Sequence, residues 1–199
     1  MIHQLLVLEA PWNDDTIRST SVWPFASEYC RVHGIEAHRQ HFTDLASFRH
    51  WVRCYNAERL DGRRLLYVAA HGSHGSLSAL TRSLNASSVI DTLADAPKID
   101  YVHFGSCLFG NPGNLDRLMQ RAEHLRWAAG YDVEIPWVES TAFDLMFWSK
   151  VDGSREDDET PRRQPHRGVA DLLAYTGPLA ERLGFRFHYR RGERVLCLP

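Results

Sequence analysis

The sequence predicts an α/β domain with a mostly parallel central sheet flanked by helices on both faces. Three observations predict it. Compact apolar runs of strand length recur along the chain. Longer segments of helical periodicity separate them. Gly, Pro, Asn and Asp fall at the boundaries between the two kinds of segment. Strands alternating with helices imply parallel pairing with crossover helices.

Taken in order, residues 2–8 (IHQLLVL) form a first apolar strand. Asn13, Asp14 and Asp15 offer N-cap oxygens for a helix over 15–33, and Gly34 ends it as a C′ residue. Residues 36–42 read as a short second strand. Thr43-Asp44 caps a helix whose apolar face is Leu45, Phe48, Val52 and Tyr55, and Asp61-Gly62 makes a turn. The next strand, 64–70 (RLLYVAA), stops at His71-Gly72. Residues 73–84, rich in Ser, Gly and His, read as a loop or short hairpin. Asn85-Ala86-Ser87 caps a helix carrying Val89, Ile90 and Leu93 that Pro97 ends. Residues 99–104 (IDYVHF) are a strand that stops at Gly105-Ser106-Cys107.

A helix then begins at Asn114, and 126–129 (RWAA) is a short fifth strand before Gly130. Residues 139–151 form an apolar helix. Residues 152–167 are charged and interrupted by Pro161 and Pro165, the composition of a flexible loop. A helix over 169–183, kinked at Gly177-Pro178, precedes a terminal hairpin of 185–189 and 195–198. No internal repeat is present, and 1–199 reads as a single domain, long enough to bury roughly 70% of its unfolded surface.

Composition excludes several function classes. The formal net charge is −2, and the basic residues are scattered, with Arg63-Arg64, Arg162-Arg163 and Arg190-Arg191 as pairs rather than a stripe, so neither nucleic acid nor an anionic membrane is an expected partner. No apolar stretch approaches the ~20 residues of a membrane helix. The first twelve residues lack the basic start of a signal peptide. Four cysteines without a C-x-x-C pair suit free thiols in a reducing, cytoplasmic setting. The eleven histidines show no H-E-x-x-H or i, i+4 pairing, so no metal and no cofactor is expected.

In open parallel sheets, sites form beyond the carboxyl ends of the strands. Two strands end there in chemically unusual residues: AAHG at His71 and FGSC at Cys107, 36 positions apart. A cysteine nucleophile needs a base to take its proton or stabilise its thiolate, and a histidine on an adjacent strand end can do that. The N–H groups of Gly72 and Cys107 could together form an oxyanion hole. His74 repeats the His-Gly pair three residues on but lies past the strand end, so His71 is the favoured base. His103 reads as a packed or hydrogen-bonded strand histidine. Cys30, Cys54 and Cys197 read as packing residues.

A strand ending in His-Gly, a helix, then a strand ending in Cys resembles the caspase-like cysteine peptidases (clan CD), and the bacterial CHAT protease branch most. The likeness continues through Ala128-Ala129-Gly130, Trp137 and Glu139-Ser140-Thr141-Ala142, covering about residues 65–149. It implies a caspase-like three-layer sandwich with His71 as general base and acid and Cys107 as nucleophile of peptide-bond hydrolysis. It also implies an acid that selects a basic residue before the cut, with Asp132, Glu134 and Glu139 as candidate substrate-binding residues. It implies a protein substrate such as a pore-forming or other effector protein, in bacterial defence or cell-death signalling. By the same likeness, the arginines of 154–167 suit a regulatory or self-cleaved loop.

Two other readings share these residues. One is a catalytically inactive caspase-like module that binds a signal ligand or partner. The other is an α/β-hydrolase with a cysteine nucleophile, whose G-x-C-x-G elbow Gly105-Ser106-Cys107-Leu108-Phe109 supplies only in its first glycine, and whose histidine would be His166 or His188.

Overall fold

The computed structural model describes residues 2–12, 20–59, 61–151 and 164–198. The elements run β1 (Gln4–Glu9), α1 (Trp23–His33), β2 (Glu36–His41), α2 (Leu45–Ala57) and β3 (Arg64–Ala69). A two-stranded hairpin, β4 (Ser76–Leu77) and β5 (Leu84–Asn85), leads into α3 (Ala86–Ala94), β6 (Tyr101–Phe104), α4 (Pro112–Arg121) and β7 (Trp127–Tyr131). The chain ends with α5 (Trp137–Val151), α6 (Pro165–Arg182), β8 (Phe185–Arg191) and β9 (Arg194–Leu198).

The main sheet has the order β2-β1-β3-β6-β7-β8-β9. Its first five strands are parallel, and β8 and β9 close it as an antiparallel hairpin. β1, β3, β6 and β7 are buried along their whole length. Helices cover both of their faces, so both sets of alternating side chains must be apolar. On one face Leu6, Leu8, Leu66, Val68, Val102 and Phe104 pack against α2, α3 and α4. On the other, Leu5, Val7, Leu65, Tyr67, Tyr101 and Trp127 pack against α1, α5 and α6.

The local signals act largely as the sequence implies. Asp44 accepts from the Ser47 N–H while the Ser47 hydroxyl accepts from the Asp44 N–H, a reciprocal capping box on α2. The Asn85 side chain caps α3. Gly34 ends α1 in the left-handed region at φ 65°.

Other boundaries differ, for physical reasons. The N-cap chemistry assigned to Asn13–Asp15 lies outside the described residues, and α1 starts at Trp23, whose N–H donates to the Ser21 hydroxyl at 3.1 Å, while the N-cap residue Val22 has no capping side chain. The buried Glu9 carboxylate at the end of β1 completes the cap. It accepts from the Val22 N–H and the Ser21 hydroxyl and pairs with Arg39 at 2.8 Å. α4 begins at Pro112 rather than Asn114, because Asn111 is the N-cap and Pro112 fits the first turn. α5 begins two residues early, at Trp137. The predicted loop is shorter at its far end. Residues 152–163 lie outside the described residues, but Pro165 opens α6, which carries Pro178 within it.

Arg64 is buried for a similar reason. Its guanidinium donates to the carbonyl oxygens of Tyr55, at 2.5 Å, and Glu58, at 2.8 Å, which are among those left open at the C-terminal end of α2.

Burial holds His188 and His124 below the usual histidine range, against the opposing pull of Asp116 and Asp100. The folded chain therefore binds protons less readily than the unfolded chain once pH falls through about 6.5. Urea midpoints are expected to fall from pH 7.5 to pH 5.5, and His188→Gln is expected to flatten that dependence.

Candidate active site

The site is built where β1, β3, β6 and β7 end. His71 follows β3, and Gly105-Ser106-Cys107 follows β6, its direct neighbour in the sheet. Gly72 is what lets the two ends meet. A Cβ there would lie 2.3 Å from the Cys107 carbonyl oxygen, so any side chain would force the loops apart. Ser106, fully buried, ties them from beneath. Its hydroxyl accepts from the Ala70 N–H at 3.3 Å and faces the Val68 carbonyl at 3.4 Å. Asn114 joins the same loops from outside, donating from Nδ2 to the carbonyls of His74 and Phe109, both at 2.9 Å.

Cys107 enters a tight turn. The Phe109 N–H donates back to the Cys107 carbonyl at 2.6 Å, and the residue between, Leu108, has φ 61°. Positive φ is rare outside glycine and concentrates at functional sites. Two contacts hold the segment after β7 to this turn: Leu108 N–H to Val133 carbonyl at 3.1 Å, and Ile135 N–H to Cys107 Sγ at 3.5 Å. The amide N–H groups of Gly72 and Cys107 have no hydrogen-bond partner among the described residues.

His71 is exposed, and its Nε2 lies 3.1 Å from the Trp12 carbonyl oxygen. A carbonyl only accepts, so Nε2 carries the proton and the neutral ring offers Nδ1 as its basic nitrogen. The Trp12 indole packs edge-on against the same ring, with centroids 4.9 Å apart. His71 and Cys107 line one cavity of about 260 Å³ together with Trp12, Thr20, Gly105, Ile135, Trp137 and Ser140.

The remaining sequence candidates lie elsewhere. His74 does not line the cavity. Asp132 is held by Arg186, with Nε and a terminal guanidinium nitrogen each 2.7 Å from Oδ2. Glu139 pairs with Arg182 at 2.6 Å, and Glu134 is exposed. None of these three acids lines the cavity. His166 stacks on Tyr189, and His188 pairs with Asp116 at 3.0 Å, so neither supplies the base that an α/β-hydrolase arrangement needs. Among the described residues no group of three or more His, Cys, Asp or Glu side chains could hold a metal ion. No helix among them is long and apolar enough to cross a membrane.

Beneath the site is a cluster that local sequence does not announce. Asp144 on α5 is 2% exposed. It accepts from the Tyr67 hydroxyl at 2.5 Å and from the Tyr131 hydroxyl, and lies 3.1 Å from His103 Nε2. Trp148 Nε1–H donates to His103 Nδ1 at 2.9 Å. An indole only donates, so His103 is the neutral Nε2–H tautomer. Burial first, then the adjacent Asp144 charge, push the Tyr67 and Tyr131 phenols well above the usual tyrosine range. The Tyr67 hydroxyl reaches the underside of Gly105, where a Cβ would lie 2.0 Å from it.

No protein-family model and no curated protein sequence matches the chain. The fold is similar to that of the secreted C11 cysteine protease from Bacteroides thetaiotaomicron, solved with an irreversible peptide inhibitor. The TM-score is 0.54 at 9% identity, over 95% of this chain and 66% of that one. The chain thus spans just under two-thirds of that protease's length. The fold is therefore caspase-like, and the narrower likeness to the CHAT branch gains no support from the comparisons.

Replacing Asp144 with Ala would leave two phenol hydroxyls buried without their acceptor. It is expected to cost about 3–5 kcal/mol of folding stability, read from denaturant unfolding.

Proposed function

We propose that this chain is a caspase-like cysteine peptidase with Cys107 as nucleophile and His71 as proton carrier. The observation that carries this reading is the shared cavity. Cys107 and His71 come from the ends of neighbouring parallel strands and line one opening, with the His71 ring held by the Trp12 carbonyl.

In this reading His71 takes the Cys107 proton at Nδ1, and Sγ bonds to the scissile carbonyl carbon. Negative charge gathers on the former carbonyl oxygen, which the Gly72 and Cys107 N–H groups receive. Collapse breaks the carbon–nitrogen bond, and the amine leaves with the proton from His71. Water then attacks the thioester while His71 takes its proton. The carboxylate leaves, and the Cys107 thiol is restored.

Cys107→Ala and His71→Ala are each expected to lower turnover of a fluorogenic peptide library by at least about a thousandfold, with melting temperatures within a few degrees of the parent. Iodoacetamide with peptide mapping is the second check. Cys54 and the exposed Cys197 serve as internal standards, and Cys107 is expected to alkylate about tenfold faster than either at neutral pH. Equal rates would mean that no activated nucleophile is present and would favour a binding module on the same fold.

A further inference from the structure

We infer that the cavity beside Cys107 accepts a large neutral side chain, aromatic or aliphatic, from the residue before the scissile bond, rather than an arginine, lysine or aspartate. This rests on the peptidase reading and names its substrate class.

The lining carries the inference. Two indoles, Trp12 and Trp137, and the side chain of Ile135 supply the apolar surface, and Gly105 adds no side chain. The Gly105 position is closed to a longer residue, because the Tyr67 hydroxyl fills the space a Cβ would need. Among the described lining residues the polar groups besides His71 and Cys107 are uncharged: the hydroxyls of Thr20 and Ser140 and the indole N–H groups of Trp12 and Trp137, and the Ser140 hydroxyl donates to the Trp137 carbonyl at 3.1 Å. Phe25 packs edge-on against Trp137 from outside, with centroids 5.7 Å apart, and buttresses that wall.

Charge points the same way. A guanidinium or carboxylate taken out of water needs an opposite charge, and the described lining holds none. Among the described residues, four neighbouring carboxylates are engaged: Glu9 with Arg39, Ser21 and Val22; Asp132 with Arg186; Glu139 with Arg182; Asp144 with Tyr67, Tyr131 and His103; Glu134 is exposed and outside the lining. At about 260 Å³ the space falls just under the ~300–1,000 Å³ of sites for drug-sized ligands, which suits one large side chain.

The test uses the full chain and four irreversible peptidyl acyloxymethyl ketones that differ only in the residue next to the reactive carbonyl: Phe, Leu, Arg or Asp. Adducts at Cys107 are followed by intact mass. The Phe or Leu probe is expected to react at least tenfold faster than the Arg and Asp probes. Ile135→Asp, which sets a carboxylate in the wall while keeping the main-chain N–H that faces Sγ, is expected to raise the Arg-probe rate at least tenfold relative to the Phe probe. Fastest reaction of the parent chain with the Arg or Asp probe would overturn the inference and leave the peptidase reading standing. Failure of all four probes at a cysteine that iodoacetamide alkylates rapidly would overturn both.

Discussion

The middle of this molecule is organised around a single buried carboxylate. Asp144 reaches from α5 into the sheet and meets Tyr67 of β3, His103 of β6 and Tyr131 of β7. Removing a carboxylate from water costs several kcal/mol. The two phenol donors offset that cost, at about 1.5–3 kcal/mol for each charge-assisted bond, with the His103 ring edge close by at 3.1 Å. The arrangement leaves little choice of geometry. Each donor has a defined direction, and Trp148 fixes the histidine tautomer from the other side. The three strands are thereby held in depth against α5 as well as by their ladder, and two of them end at the His71 and Cys107 loops. Above the cluster the Tyr67 hydroxyl supports Gly105, so the floor of the cavity rests on a rigid polar base.

That rigidity bears on the strained turn after Cys107. Leu108 holds a positive φ although it is not a glycine, and such a conformation persists only where its surroundings over-determine it. Asn111 caps α4 and donates to the Leu108 carbonyl at 2.8 Å, and Asn114 ties the next carbonyl to the His74 loop. The thiol is thus presented by a turn that is fixed at both ends, between a buried strand and a capped helix.

The alternation of strands and helices, the sheet type and the two strand-end residues were legible because they depend on local patterns: apolar runs, caps and glycines. The start of α4 was legible too, since an Asn-Pro pair is an N-cap followed by a first-turn proline, but the helical periodicity drew attention to Asn114 instead. Other features lay beyond such reading. Glu9 caps α1 across a break in secondary structure, and Asp144 finds its partners on three strands. Asp132 and Glu139 looked available because the arginines that hold them, Arg186 and Arg182, are far along the chain. Side-chain identity marks what a residue can do, whereas the partners it has already engaged depend on the tertiary fold.

The contact at His71 has a consequence for how such a site tolerates change. Its ring is held by a main-chain oxygen, which every amino acid at position 12 would supply. An alanine scan would pass over this partner, and drift at the position would erase the indole without removing the acceptor. What the contact requires is a path for the backbone, set by where β1 ends. The orientation of the imidazole is therefore inherited with the fold itself, and it can persist after recognisable sequence likeness has gone.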